Sequence, residues 1–335
     1  MANDKALSAV IVGCGFMGRM HANVYRSLSN ANLVACVDAH PENGAKFGSE
    51  FNVPDYPDLK TALENQKIDV VDICLPTDLH SKMTVEAASY KKHVFCEKPM
   101  ALTLEQADAM IEACSRAGVQ LFIGHCIRFW PEYVYLKQMV DEKRLGHLLS
   151  INLTRYGAFP LWASEGWTSD PKRAGGGVLD MHIHDTDFAH FLLGQPDEMI
   201  SFGSVDDRGP SHAFTTMRFG NVIAHLEGGW NLPPGSPFKM SFRAVFERGA
   251  AIWDGAPLTI YEEGKSPIQP EFPKMKADGG GNISDLGGYY HELKYFYDRV
   301  SANLSLETVT PQSSRQSLAT ALEEINQIYR NQAKD

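Results

Sequence analysis

The sequence has no apolar run approaching the ~20 residues of a membrane span, which sets a membrane-spanning role aside. It has no basic excess either: 41 acidic residues against 31 Lys and Arg leave a formal net charge of −10 over 335 residues. Nucleic acid and anionic membrane surfaces require a basic face, so neither is expected as a partner. Cysteine is absent beyond Cys126, and the six present (Cys14, Cys36, Cys74, Cys96, Cys114, Cys126) form no C-x-x-C pair. That excludes a disulfide framework or a zinc ribbon and reads as small buried hydrophobes in a reducing compartment. No charged and apolar leader with a cleavage site precedes the first strand pattern, so the expectation is a cytoplasmic protein. Repeats and low-complexity tracts are absent too. What remains is a chain of 44% apolar and 21% charged residues, an ordinary globular composition, at a length that suits two domains.

The most informative stretch present is Ala9-Val10-Ile11-Val12-Gly13-Cys14-Gly15-Phe16-Met17-Gly18. A continuous apolar run breaks into Gly-x-Gly-x-x-Gly, and a helix-compatible segment follows to about Ser27. Gly13 permits the turn out of the strand, Gly15 allows close approach of a pyrophosphate, and Gly18 lets the helix lie against the sheet. The helix start, with Phe16 and Met17, then offers unpaired N–H groups to the phosphates. A second apolar run, Leu33–Val37, ends in Asp38, roughly 20 residues past the turn, where a ribose-binding carboxylate is expected. A carboxylate there accepts from the 2′-hydroxyl and repels a 2′-phosphate, so NAD is favoured over NADP.

Residues 1–125 alternate short apolar strands (near 8–12, 33–37, 70–75, 93–96, 120–124) with helices (near 17–27, 41–51, 58–65, 80–90, 104–117), the rhythm of a parallel α/β sheet. Residues 126–335 change rhythm. Successive strands near 148–156, 199–206, 213–219, 222–230, 238–246 and 250–253 imply an α+β domain with a large, mostly antiparallel sheet. One helix from about Val178 to Leu193 interrupts them, and closing helices are expected near 289–301 and 312–331, the last packing back on the first domain in one arrangement. The Gly-, Lys- and Pro-rich stretch 264–288 reads as a loop.

Two constellations carry possible chemistry. Cys96-Glu97-Lys98-Pro99 follows the strand His93-Val94-Phe95. Ligands bind beyond the carboxyl ends of parallel strands, so Lys98 is placed to stabilise charge on a reacting oxygen. A surface lysine at a strand end fits these residues equally well. The second is Gly175-Gly176-Gly177 leading into a helix on which Asp180, His184 and Asp187 stand at i, i+4 and i+7, on one face. His184 titrates near neutrality and can take or return a hydroxyl proton, with a carboxylate one turn away to steady it. His182 and Asp185 point elsewhere. Metal ligation by the His-x-His-Asp run is a rival, disfavoured because ligands two apart on a helix diverge.

These segments, with Leu75-Pro76-Thr77-Asp78-Leu79-His80 and Gly124-His125-Cys126-Ile127-Arg128-Phe129, occur in the order seen in the glucose–fructose oxidoreductase/inositol dehydrogenase/MocA family, which the chain resembles over nearly its whole length. The resemblance implies a Rossmann domain (1–125) followed by an α+β substrate and oligomerisation domain (126–335), forming a homodimer or homotetramer through its open sheet. It implies Lys98, Asp180 and His184 as the catalytic set. It implies Gly13, Gly15, Phe16, Met17, Gly18, Asp38, Leu75, Pro76, Thr77, His80, Glu97 and Lys98 around the cofactor, and a tryptophan, Trp230, on the second sheet. Lys98, Asp180, His184 and Asp187 are implied at the substrate, where Arg128, Tyr156, Trp162, Trp167, Tyr290 and His291 are further candidates by residue type. The tract around Arg128 lacks the family's usual Asn and first Arg. The expected activity is NAD-dependent hydride transfer at a secondary hydroxyl of a sugar, cyclitol or sugar derivative. An enzyme that retains NAD for epimerisation or elimination, and a non-catalytic NAD-binding regulator, are the alternatives.

Overall fold

The computed structural model describes residues 6–161, 164–273 and 287–332. Contacts divide the chain into two compact units, Met1–Phe129 with Lys274–Arg315, and Trp130–Pro273 with Gln316–Asp335.

In the first unit, β1 (Leu7–Val12), β2 (Ala31–Val37), β3 (Asp55–Tyr56), β4 (Val70–Ile73), β5 (His93–Glu97) and β6 (Leu121–Gly124) pair in parallel in the order β3-β2-β1-β4-β5-β6. The order reverses between β1 and β4, so the chain leaves these strands in opposite directions and opens a crevice at their carboxyl ends. Parallel strands are covered on both faces, which is why Ala9–Ile11 and Val70–Ile73 carry no exposed surface. Helices α1 (Phe16–Tyr25), α2 (Pro41–Phe51), α3 (Leu59–Asn65), α4 (Thr77–Ser89) and α5 (Leu104–Ala117) alternate with the strands. Asp58 and Thr103 cap α3 and α5 by accepting from Thr61 N–H and Gln106 N–H, and left-handed Gly118 ends α5.

The second unit holds a seven-stranded sheet, order β13-β12-β11-β7-β10-β9-β8. Its strands are β7 (Leu148–Ala158), β8 (Glu198–Asp206), β9 (Gly209–Phe219), β10 (Val222–Leu232), β11 (Lys239–Phe246), β12 (Gly249–Trp253) and β13 (Thr259–Glu262). All neighbours are antiparallel except β7 and β10. Its helices are α6 (Pro131–Asp141), the one-turn α7 (Pro171–Ala174) and α8 (Ile183–Leu193). Tyr133 of α6 meets Phe188 of α8 edge-on at 4.7 Å and Phe242 of β11 at 5.2 Å, closing one side of the sheet. Elsewhere on the sheet Ile200, Phe202, Phe214 and Ile223 expose 53%, 53%, 43% and 41% of their surface.

Two helices follow the second sheet. α9 (Gly287–Ser301) belongs to the first unit, where Leu293, Phe296 and Tyr297 are fully buried among Phe95, Phe122 and Tyr25. α10 (Pro311–Gln332) begins in the first unit's sequence and continues in the second's. The short elements β3, β13, α6 and α7 lie outside the sequence expectations, because two to four residues or an aromatic-rich segment carry little periodicity. Residues 274–286 of the expected 264–288 loop, and Trp162, lie outside the described residues. All six cysteines are free, with Cys74 half-buried and the others buried.

Candidate active site

The glycine turn has the shape its residues demand. Gly13 sits at φ +103°, a left-handed conformation, and a Cβ on it would stand 2.5 Å from the Cys74 carbonyl oxygen. A Cβ on Gly18 would stand 2.1 Å from the Gly13 carbonyl oxygen, so α1 can press onto the turn only through hydrogen. Gly15 is different: nothing lies within 4 Å of where its Cβ would be. That open space lies at the N-terminus of α1, whose N-cap residue, Gly15, has no side chain to fill it. Space and the positive end of a helix together fit a pyrophosphate. Asp38, one residue past β2, accepts from Cys14 N–H through Oδ2 and from His40 N–H through Oδ1, both at 2.9 Å. Its carboxylate is thereby fixed at the same strand edge, the position a ribose hydroxyl needs.

Lys98 stands one residue past β5 at that edge and is half-buried. Its backbone N–H donates to its neighbour Glu97 Oε2 at 3.2 Å. Pro76 caps α4, on whose first turn Thr77 and His80 are buried. His80 bridges two loops, with Nδ1 2.8 Å from the Pro99 carbonyl and Nε2 2.8 Å from the Leu75 carbonyl. Burial pulls this imidazole below its ordinary pKa, opposed by the two carbonyls, which as acceptors favour a proton on each nitrogen. His80 therefore ties the Leu75–Pro76 turn to the residue after Lys98. Glu97 is buried too, with Oε1 3.1 Å from His21 Nε2, and His21 Nδ1 lies 2.9 Å from Asp72 Oδ1.

In the second unit, the expected single helix from Val178 is a π-helical turn, Val178–His182, that runs into α8. The wider turn alters the register of Asp180, on it, relative to His184 and Asp187, on α8, so the regular spacing by which they shared a face applies only from Ile183 onward. Asp180 is half-buried, while His184 and Asp187 are buried. Asp187 Oδ1 accepts from Ser317 Oγ at 2.7 Å. The glycines before the turn serve close approach as well as bending. Gly175 and Gly176 have φ of +75° and +83°. A Cβ on Gly177 would meet Ser211 O at 2.5 Å and Trp230 Nε1 at 2.7 Å, and one on Gly228 would meet His182 Nδ1 at 2.6 Å. The π turn is thus seated directly on β9 and β10, with buried Trp230 under Gly177.

His182 is held from below: its Nε2 lies 3.1 Å from Glu324 Oε1 and 3.3 Å from Thr215 Oγ1, while Thr186 Oγ1 donates to Glu324 Oε2 at 2.9 Å. Burial pulls this imidazole's pKa down, but the Glu324 carboxylate more than compensates and holds it above the ordinary value. Asp185, fully buried with Arg155 Nε 4.0 Å from its Oδ1, is pushed up to about 6 by burial. Among the described residues, groups spaced for a metal ion centre on His21 (with Asp72 and Cys74, or with Glu97 and Glu292) and include none of 180–187.

Of the remaining candidates, Arg128 lies buried in the first unit and donates to the Thr308 carbonyl at 2.7 Å and to Ser313 Oγ, so it anchors chain there. Tyr290 and His291 stack edge-on at 5.3 Å on half-buried positions of α9. Tyr156 of β7 and Trp167 are half-buried in the second unit. Sequence reasoning missed His21, Asp72, Glu292 and Glu324. A charged residue inside an apolar strand, Val70-Val71-Asp72-Ile73, was the available signal.

A family model described as "Oxidoreductase family, NAD-binding Rossmann fold" matches residues 7–125, and one described as "GFO/IDH/MocA C-terminal domain" matches 133–252. The chain is 32% identical over 228 residues to a 2,7-anhydro-N-acetylneuraminate hydratase of Escherichia coli, covering 65% of this chain and 60% of that protein. It is 34% identical over 200 residues to a myo-inositol 2-dehydrogenase of Thermotoga maritima, covering 58% of each. It thus matches about three-fifths of the length of these curated relatives. A solved levoglucosan dehydrogenase in complex with NADH and levoglucosan superposes with a TM-score of 0.84 over 97% of this chain and 98% of that one, at 20% identity, a likeness of fold.

Proposed function

The chain belongs to the GFO/IDH/MocA oxidoreductase family, and from that premise we propose that it is an NAD-dependent dehydrogenase oxidising a secondary hydroxyl of a sugar, cyclitol or sugar derivative. The observation that carries the reading is the carboxyl edge of the first sheet. The Gly13–Gly18 turn after β1, Asp38 after β2 and Lys98 after β5 all leave parallel strands at that one edge. Gly15 and the α1 N-terminus would hold the pyrophosphate and Asp38 the ribose. Asp38 favours NAD by repelling a 2′-phosphate. When bound, the nicotinamide supplies the hydride acceptor.

The chain's own residues then manage the proton and the oxygen. In this proposal His184 removes the hydroxyl proton, Asp180 orients or charge-balances the imidazole, and Lys98 hydrogen-bonds the oxygen and stabilises its developing negative charge. Asp187, Tyr156 and Trp167 are assigned to the substrate's remaining hydroxyls and faces. Lys98→Ala and His184→Ala are expected to bind NAD normally, measured by fluorescence titration, and to lose turnover at least ~100-fold. A panel of sugars, cyclitols and glycosides followed at the reduced-nicotinamide absorbance identifies the substrate. Full turnover in both variants overturns the assignment.

The likeness to a hydratase favours one second reading, in which NAD stays bound and transient oxidation activates the sugar for addition or elimination of water. Product formation without accumulation of NADH selects it. We also propose a homodimer or homotetramer through the second unit's sheet, supported by the cross-strand pair Phe202–Phe214, both exposed. Light scattering giving a mass near 37.1 kDa at micromolar concentration would rule it out.

A further inference from the structure

Beneath the end of β5 lies a buried polar set that the proposed chemistry leaves unused. His21 from α1 is clasped on both sides, Nδ1 by Asp72 and Nε2 by Glu97. Tyr25 Oη donates to Asp72 Oδ2 at 3.0 Å and meets Tyr297 Oη at 2.7 Å. A third carboxyl, Glu292 of α9, lies close by. It has no exposed surface, and neither of its oxygens has a hydrogen-bond partner among the described residues. One of its oxygens lies within 4.8 Å of both a His21 nitrogen and a Glu97 oxygen. Room for the Glu97 side chain exists because residue 124 is glycine: a Cβ there would stand 3.0 Å from Glu97 Oε1.

An ionised carboxyl with no protein donor in a low-dielectric interior is costly, whereas a protonated one needs only an acceptor. We propose that Glu292 is a positioning residue: it is protonated and shares its proton with the Glu97 carboxylate, whose other contacts are the His21 imidazole and the Lys98 backbone N–H. The proton moves between two oxygens and no bond to carbon changes. Burial and then the Glu97 charge push the Glu292 carboxyl well above its ordinary range, in keeping with this state. The groups around the pair are His21 and Tyr25 from α1, Asp72 from β4 and Cys74 one residue past it, and Tyr297 from α9. A divalent metal in place of the proton is disfavoured, because both His21 nitrogens already serve Asp72 and Glu97.

The consequence is that Lys98 owes its placement partly to a residue 194 positions later in the chain (292 − 98). Its value to catalysis rests on the reading of Lys98 given above, but its test does not. In the full-length protein at neutral pH, the infrared difference spectrum of wild type minus Glu292→Gln is expected to contain a carboxylic-acid C=O band, and Glu97→Gln is expected to shift it. The lysines are then reductively methylated with ¹³C and the Lys98 resonance is assigned by its loss in Lys98→Ala. Glu292→Leu should move that resonance and Glu292→Gln, which still donates from its amide, should leave it in place. Absence of the acid band overturns the shared proton. A Lys98 resonance unmoved by Glu292→Leu overturns the positioning role. Should Glu292→Leu not fold, the infrared pair of Gln variants decides alone. Neither readout requires turnover, so a fully active Lys98→Ala removes the catalytic reading and leaves these results standing.

Discussion

In each unit a buried histidine meets carboxylate directly behind residues assigned to chemistry, but the two sets are built differently. His21 in the first unit has Asp72 and Glu97 on its two nitrogens and Glu292 close by. His182 in the second has the single carboxylate Glu324, with hydroxyls of Thr215 and Thr186 completing the set. The first is redundant in negative charge and can lose a partner while the imidazole remains paired. The second is not. The same device, a buried imidazole–carboxylate bond, thus fixes a strand end in one unit and a π turn in the other, with different tolerance to damage.

Removing the lone partner should have the largest effect. Glu324→Ala strands His182 in the interior and is expected to cost about 3–5 kcal/mol, the range for breaking a buried pair. Glu97→Ala should cost less, because Asp72 stays on His21. Urea denaturation of both variants measures the two losses, and a Glu97→Ala loss equal to or above that of Glu324→Ala would break the comparison.

The pH dependence sharpens it with a smaller effect. Burial opposes the charge on both imidazoles, but Asp72 holds His21 well above the ordinary value and Glu324 holds His182 above it. A raised native pKa means that folding takes up a proton, so the stabilisation is complete below the unfolded pKa of about 6.5 and is lost as pH rises through the native one. Both units should therefore loosen around these histidines as pH rises from neutral into the alkaline range. Hydrogen exchange on Val178–His182 and on α1 over that range checks it, and protection that rises with pH at either segment is incompatible with it.

Most of the fold was legible because its signals are local and periodic. The runs Ala9–Val12 and Leu33–Val37, the alternation of strand and helix, and the glycines of the Gly13–Gly18 turn each carry their meaning within a dozen residues. Lys98, Asp180, His184 and Asp187 were nominated from their positions after a strand or a glycine turn, and their roles remain part of the proposal. What sequence did not carry is what only the third dimension assembles. Glu292 looks like any acid on an amphipathic helix until α9 is seen against His21. The π turn has no periodicity of its own. Gly177 belongs to a glycine lead-in and Gly228 to a strand, yet both are small so that Trp230 and His182 can approach. Arg128 sat in a family motif, and its guanidinium is occupied with Thr308 and Ser313.

The return of α9 to the first unit has a consequence for biosynthesis. Tyr25 and Tyr297, whose hydroxyls touch, are separated by 272 residues. A ribosome adding 5–20 residues per second takes roughly 14–54 s to cover that distance. Through that interval the emerging first sheet lacks Leu293, Phe296 and Tyr297, and Phe95 and Phe122 wait without them. Completion of the nucleotide half is deferred until the other half has been made, so premature termination anywhere before α9 leaves a sheet with an open aromatic seam, a ready substrate for chaperones and proteases.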